Sequence, residues 1–343
     1  MRSKLYISFI FLFPFSFFLF PLNAQDIHFS QFNFSPLNLN PALTGLFDAD
    51  YRFVGNHKNQ WRSINIPAPY NTFSGSFDGN FFKSKLGKDF WGGGVVIFND
   101  RAGDSELSTT QFNISTSYIR KLDDASRQYL SFGIQNGIVQ KSINYSNLKF
   151  DSQYDGSRFD PNLSNQESFM SDSRLYYDFS TGVSYLFKPK RRMMYNVGIS
   201  FSHLTMPRQS FLGNKKIRLD PKITFHGNSL IKIRRKMDLM PSFMVLKQGK
   251  FKEIVVGSFI RFLTDEKIGS SALYLGGWYR VGDAIYYVMA FDFRNMKVGI
   301  SYDINISKLR VASQGRGGIE VAIIYIFRRF QPIYKQQTGC PLF

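Results

Sequence analysis

From Asp48 onward, apolar and polar residues alternate with period two almost everywhere, the spacing of a strand with one apolar face. Tyr177, Phe179, Thr181, Val183, Tyr185 and Phe187 share one face, and Asp178, Ser180, Gly182 and Ser184 share the other. Tyr195, Val197, Ile199 and Phe201 alternate in the same way with Asn196, Gly198, Ser200 and Ser202, as do Val298 to Ile306 with Gly299 to Ser307. Near the end, Val321, Ile323, Tyr325 and Phe327 form the apolar face, while Glu320 and Arg328 lie opposite. The pattern predicts about fourteen strands, at approximately 50–61, 70–82, 90–99, 106–120, 128–140, 173–187, 193–205, 221–233, 238–247, 252–262, 272–281, 284–294, 297–307 and 318–329. Strands of roughly 9–14 residues suit a tilted crossing of a bilayer, and an even number returns both chain ends to one side.

The apolar face decides the class. Eight strands enclose an interior that side chains fill, but about fourteen enclose a lumen too wide for that. The Tyr- and Phe-rich face therefore meets lipid, and the Ser, Asn, Asp and Gly face lines the lumen. The expected fold is all-β, a transmembrane antiparallel β-barrel with a mostly small and polar lumen face. Tyr129, Tyr185, Phe187, Tyr195 and Trp278, near strand ends, suit aromatic girdles. The competing architecture is a large secreted sandwich or propeller, against which stand the lack of an internal repeat and the run of hairpins. The long connections Lys141–Asp172, Met206–Asp220 and Ser307–Gly317 follow odd-numbered strands, whereas turns after even strands are short and basic. Short turns are periplasmic and long loops extracellular in such barrels. The loop Lys141–Asp172 is a surface binding candidate or an uncommitted solvated loop.

Two segments precede the barrel. Residues 1–24 have a basic start (Arg2, Lys4), an apolar run Leu5–Phe20 and Ala24 at the cut, the layout of a signal peptide. A retained anchor is the other reading, but the run is short for a span and contains Pro14. Residues 25–47 are rich in Pro and Asn, and Asn38, Asn40, Pro41 and Gly45 should keep regular elements from forming there. Phe29, Phe32, Phe34, Leu37, Leu39, Leu43 and Leu46 make this extended segment apolar on one side, so it must be buried at the periplasmic mouth or in the lumen. Gly92, Gly93 and Gly94 lack the helix and Lys-Ser/Thr of a phosphate loop, and mid-strand glycine marks a close backbone approach that gives such a segment room. The chain thus divides into a signal peptide (1–24), the N-terminal segment (25–47), the barrel (48–330) and a tail (331–343).

The opening of the mature chain carries a resemblance. FSQF (Phe29–Phe32), PLNLNPALTG (Pro36–Gly45), Tyr51-Arg52, NQWRSI (Asn59–Ile64) and PYNTFSGSFD (Pro69–Asp78), followed far downstream by CPLF (Cys340–Phe343), resemble the PorP/SprF family of outer-membrane proteins of the type IX secretion system. The resemblance implies a non-enzymatic outer-membrane barrel that partners a secreted, adhesin-like surface protein through that cargo's C-terminal domain. It also implies contact with periplasmic secretion or gliding-motility components. The site residues it singles out are Phe29, Ser30, Gln31, Asn40, Pro41, Gly45, Asn59, Gln60 and Trp61, either sealing the barrel or forming a partner site. The rival function is passive or hydrophobic-solute transport across the outer membrane, with the N-terminal segment as a plug.

Composition adds to this picture in two places. The formal charge is +18, or +16 once Arg2 and Lys4 leave (41 basic against 25 acidic residues), and the basic residues cluster in KSKLGK (Lys83–Lys88), KPKRR (Lys188–Arg192) and IRRK (Ile233–Lys236). In an exported chain such turns face anionic headgroups or acidic partner surfaces rather than nucleic acid. Chemistry is sparse. His28, His57, His203 and His226 sit in no catalytic motif, no metal-ligand spacing occurs, and Asp151–Asp160 lacks a calcium-loop pattern, so no cofactor or metal is expected. The single cysteine, Cys340, forms either an intermolecular link or a packed tail residue.

Overall fold

A computed structural model of the protein describes residues 28–60, 70–82, 89–165, 171–211, 214, 216–264, 271–308 and 310–328. The signal peptide, Trp61, the KSKLGK turn and the tail with Cys340 lie outside the described residues. Fourteen strands close into one antiparallel barrel: β1 Tyr51–Gln60, β2 Tyr70–Phe81, β3 Phe90–Ala102, β4 Leu107–Lys121, β5 Gln128–Ser142, β6 Ser173–Lys190, β7 Met193–Ser202, β8 Lys222–Arg234, β9 Met237–Gln248, β10 Phe251–Leu263, β11 Ala272–Arg280, β12 Ala284–Phe293, β13 Met296–Asn305 and β14 Arg316–Phe327. Every strand pairs with its sequence neighbours, and β14 returns to β1 with Tyr51 opposite Phe327. Closure leaves no unpaired sheet edge, the condition a sheet must meet to span lipid. No described helix is long and apolar enough to cross a membrane.

The two faces of the wall divide as the alternation predicts. Phe73, Ile97, Phe132, Ile134, Tyr287, Met289 and Ile319 point outward and are exposed. Inward positions are buried: Ser74, Ser76 and Asp78 on β2, Ser115 and Ser117 on β4, Ser180 and Ser184 on β6. Two girdle assignments do not hold. Trp278 turns inward at 3% exposure, donating its indole N–H to Ser242 and stacking on Tyr286, and Tyr129 faces the lumen against Phe90. With Phe259 and Tyr274, Trp278 and Tyr286 form an aromatic wall on β10–β12, and inward Val54, Val96, Ile119 and Leu186 add apolar patches elsewhere, so the lumen face is less uniformly small and polar than the alternation suggests.

The N-terminal segment enters the lumen rather than capping it. It is not free of regular structure, as its Pro and Asn content led one to expect: it folds into three short helical turns, Phe32–Phe34, Pro36–Leu39 and Pro41–Leu43. Pro36 and Pro41 each open a turn, where a missing N–H costs nothing and the fixed φ is already helical. Asn40 caps the last turn by accepting the Ala42 N–H at 2.9 Å. The segment descends from the end of the barrel where β10 begins and β11 and β13 finish, crosses to β3–β7, and leaves at the end where β1 begins.

The longest described connections, 143–172, 203–221 and 306–315, follow odd strands, but two other odd connections, 249–250 and 281–283, are tight turns. The even-turn end, where the segment leaves the lumen, is the periplasmic one by the rule for such barrels. Ile114, at the middle of β4 and 53% exposed, faces the centre of the bilayer. Ile114→Arg is expected to destabilise the barrel in lipid vesicles by about 2–4 kcal/mol, whereas Gln140→Arg at the rim costs about 0–1 kcal/mol. Denaturant unfolding followed by tryptophan fluorescence measures both, and equal costs would contradict the lipid-facing assignment.

Candidate functional site

The chemistry-bearing cluster of the molecule is the interface between the N-terminal segment and the inner wall. A backbone buried in a lumen needs a partner for each N–H and C=O. The wall supplies hydroxyls at matching positions. Ser200 donates to the Leu39 carbonyl at 2.8 Å, Ser131 to the Ala42 carbonyl at 2.6 Å, and Ser117 to the Thr44 carbonyl at 2.6 Å. Asn40, fully buried, donates through Nδ2 to the carbonyls of Val183 at 3.1 Å and Ile199 at 3.3 Å, and lies 3.1 Å from His226 Nε2. Gly45 donates its N–H to Asp78, which Arg52 holds through two further bonds while also reaching the Leu43 carbonyl.

Such close approach needs wall positions without side chains. A Cβ on Gly133 would stand 2.3 Å from the Ala42 nitrogen and the Pro41 carbonyl carbon, and one on Gly182 2.1 Å from Asn40 Oδ1. Gly92 and Gly198 are closed off in the same way, by Thr44 and by Asn40 with His226. Of the three consecutive glycines in β3, then, Gly92 is the one that makes room for the segment. Gly45 itself has φ +67°, and a Cβ there would strike Gly92 Cα.

The first part of the segment is held differently, by charge. Glu320 accepts the N–H of Ser30 at 2.8 Å and of Gln31 at 3.0 Å, one on each carboxylate oxygen. Ser30 Oγ donates to Asp303 at 2.7 Å and accepts from Arg280 at 3.0 Å and Lys58 at 3.3 Å. Arg280 also pairs with Asp283 at 3.0 Å, and Glu253 sits 3.1 Å from His28. Between the two regions, Phe34 packs edge-on against Phe259 of the aromatic wall.

Of the residues singled out from sequence, Phe29, Ser30, Gln31, Asn40, Pro41 and Gly45 are buried along this one interface. Asn59 and Gln60 are half-buried at the opposite end of β1 and belong to no common patch with Gly45. Trp61 lies outside the described residues. The wall partners were missed: Glu320, Arg280, Asp303 and Lys58, together with Gly133, Gly182 and Gly198. Their signal was present as charges and glycines at inward strand positions. His203 follows β7 and pairs with Asp178 at 3.0 Å, which accounts for its burial. Among the described residues, no group of three His, Cys, Asp or Glu side chains could hold a metal.

Two variants separate the modes of attachment. Gly133→Ala is expected to leave a heat-modifiable barrel while unseating the segment, so that protease added to the detergent-solubilised protein cuts between Gln31 and Gly45; an uncut segment would show that the glycine seat is dispensable. Glu320→Ala leaves two buried N–H groups without acceptors, at about 1–3 kcal/mol each. Faster amide exchange at Ser30 and Gln31, with unchanged exchange at Ala42, is the expected outcome. Equal change along the whole segment would contradict two independent holds.

The family described as type IX secretion system membrane protein PorP/SprF matches residues 22–325. No curated protein matches the chain. Among solved structures, the toluene transporter TbuX of Ralstonia pickettii is similar at a TM-score of 0.51 with 8% identity, over 86% of this chain and 93% of that one. A Pseudomonas aeruginosa FadL homologue gives a TM-score of 0.44 with 11% identity, over 84% of this chain and 93% of that one. The likeness to TbuX shows the outer-membrane barrel fold and nothing about what passes through it.

Proposed function

The chain belongs to the PorP/SprF family of type IX secretion system membrane proteins, and on that premise we propose that it is a non-enzymatic partner of a secreted, adhesin-like surface protein. In this reading the barrel supports the secretion or surface retention of that cargo, engaging the cargo's C-terminal domain from its extracellular loops. The opposite rim faces periplasmic secretion or gliding components. The observation that carries the reading is the segment bonded to the inner wall of the lumen. A segment whose carbonyls are taken by wall serines and whose N–H groups are taken by Glu320 and Asp78 belongs to a barrel whose working surfaces are its two ends. The buried family-motif residues from Phe29 to Gly45 then act by holding this plug, and touch no partner directly.

Hydrophobic-solute transport is the second reading, favoured by the aromatic wall of Phe259, Tyr274, Trp278 and Tyr286 inside the lumen. Against it, Phe32, Phe34 and Leu39 of the plug are packed into the same buried cluster as that wall, Phe34 directly on Phe259.

Affinity purification of the barrel from its own outer membrane, with mass spectrometry of what stays bound, is expected to retain a large secreted protein through its C-terminal region. Deleting the barrel should remove that protein from the cell surface. A partner-free barrel that conducts in planar bilayers, together with an unchanged surface proteome after deletion, would sink the cargo reading in favour of transport.

A further inference from the structure

The mouth of the barrel at the even-turn end holds a cavity that the plug shapes but does not fill. Leu46 and Phe47, where the segment leaves the lumen, and Phe90, Tyr129 and Leu186 of the wall give apolar sides to a space of about 150 Å³ that is otherwise lined by charged groups. Lys121 and Lys188 stand at its edge. Lys188 holds the carboxylate of Asp48 at 2.7 Å from both oxygens and lies over the Tyr129 ring, yet the Asp48 side chain is 82% exposed. Asp48 is thus the chain's own example of a carboxylate on this edge, held by the lysine. Among the described residues no acid pairs with Lys121, which is half-buried in the mouth.

Two facts narrow what could enter. The lining wall residues share the inward parity of their strands, Lys121 with Ser117 and Ile119, and Lys188 with Ser184 and Leu186. Lipid headgroups lie outside the wall and do not reach an inward position. The neighbouring even-turn rim carries exposed Lys190, Arg191, Arg234, Arg235 and Lys236, which outnumber Asp89, Asp123 and Asp124 beside the cavity and give a field that draws acidic macromolecules.

We propose that this cavity is a docking site for an acidic polypeptide of the periplasm. An aliphatic or aromatic side chain of that partner enters between Phe47, Phe90 and Leu186, and an adjacent carboxylate pairs with Lys121 and displaces Asp48 from Lys188. The inference rests on the reading of this rim as the one that faces periplasmic components, and gives that contact its chemistry: an apolar anchor beside an acid. A cavity of this size takes one side chain, so the rest of the affinity comes from the basic rim.

The test places a photoreactive amino acid at Leu46 of the full-length protein in its native outer membrane, with the outward-facing Ile114 in the middle of β4 as control. Irradiation is expected to give a polypeptide adduct at Leu46 and none at Ile114, the Leu46 adduct mapping to a segment that carries Asp or Glu beside an apolar residue. Lys121→Glu should lower its yield by about tenfold, the equivalent of one close charge pair. Replacing the partner's acid by Lys in that background should restore it. No adduct at Leu46, an adduct to lipid alone, or a yield unchanged by Lys121→Glu in a folded barrel would each overturn the proposal. The surface proteome of a strain lacking the barrel, measured in parallel, tests the cargo reading separately. A missing adduct beside an intact dependence of cargo on the barrel overturns the cavity alone.

Discussion

A closed sheet of fourteen strands encloses more space than its own inward side chains occupy, and polar residues lining that space need partners or water. The rest of the structure answers that constraint. The N-terminal segment supplies a second layer of atoms inside the wall, and the wall is written to receive it. Ser117, Ser131 and Ser200 end on its carbonyls, while glycines remove the side chains that would block its path. Without the segment those hydroxyls, together with Asp78 and Glu320, would face an open lumen. Barrel and plug are one core made of two distant parts of the sequence.

The two regions of that core are stabilised by different physics. From Leu39 to Gly45 the fit is mainly steric, closed at its end by the Asp78–Arg52 pair: backbone lies on backbone, and one added methyl at Gly133 or Gly182 has nowhere to go. At Ser30 and Gln31 the hold is electrostatic, with Glu320, Asp303, Arg280 and Lys58 arranged around two N–H groups and a hydroxyl. Shape contacts vanish with small displacements, whereas charge pairs act over longer distances but depend on exclusion of water. The same segment is therefore pinned tightly near the periplasmic mouth and held by a polar cluster deeper in the lumen.

Much of this was legible in the sequence, and the parts that were not have physical reasons. Alternation over segments such as 176–187 gives strand, face and class together, because a one-residue slip would invert every side chain. The burial of residues 28–47 followed from their apolar content, and a seat for them followed from Gly92. The helical turns did not follow, because Pro36 and Pro41 break a helix in its interior yet start one at its first position. Trp278 was misplaced because ALYLGGWYR is apolar on both faces, leaving period two nothing to sort. Glu320 stood out as a charge on an inward face, but what it binds lies 290 residues away in sequence and is a backbone N–H, which carries no residue signature.

A plug so integrated changes what the barrel is suited for. Displacing it for a passing solute would break the serine bonds, unpair Asn40 and leave Glu320 without its two donors, all in one movement. The aromatic wall, the feature most suggestive of an apolar passenger, already has one in Phe34. Chemistry available to other molecules is thereby shifted to the two ends, and the ends differ. One carries the longest loops, with Asp155 and Asp160 turned onto their own backbone. The other carries short basic turns around a mouth whose apolar edge the plug itself completes. Leu46 and Phe47, half-buried where the plug ends, form part of that edge, so the segment that occupies the lumen also shapes the surface at which the periplasm meets the barrel.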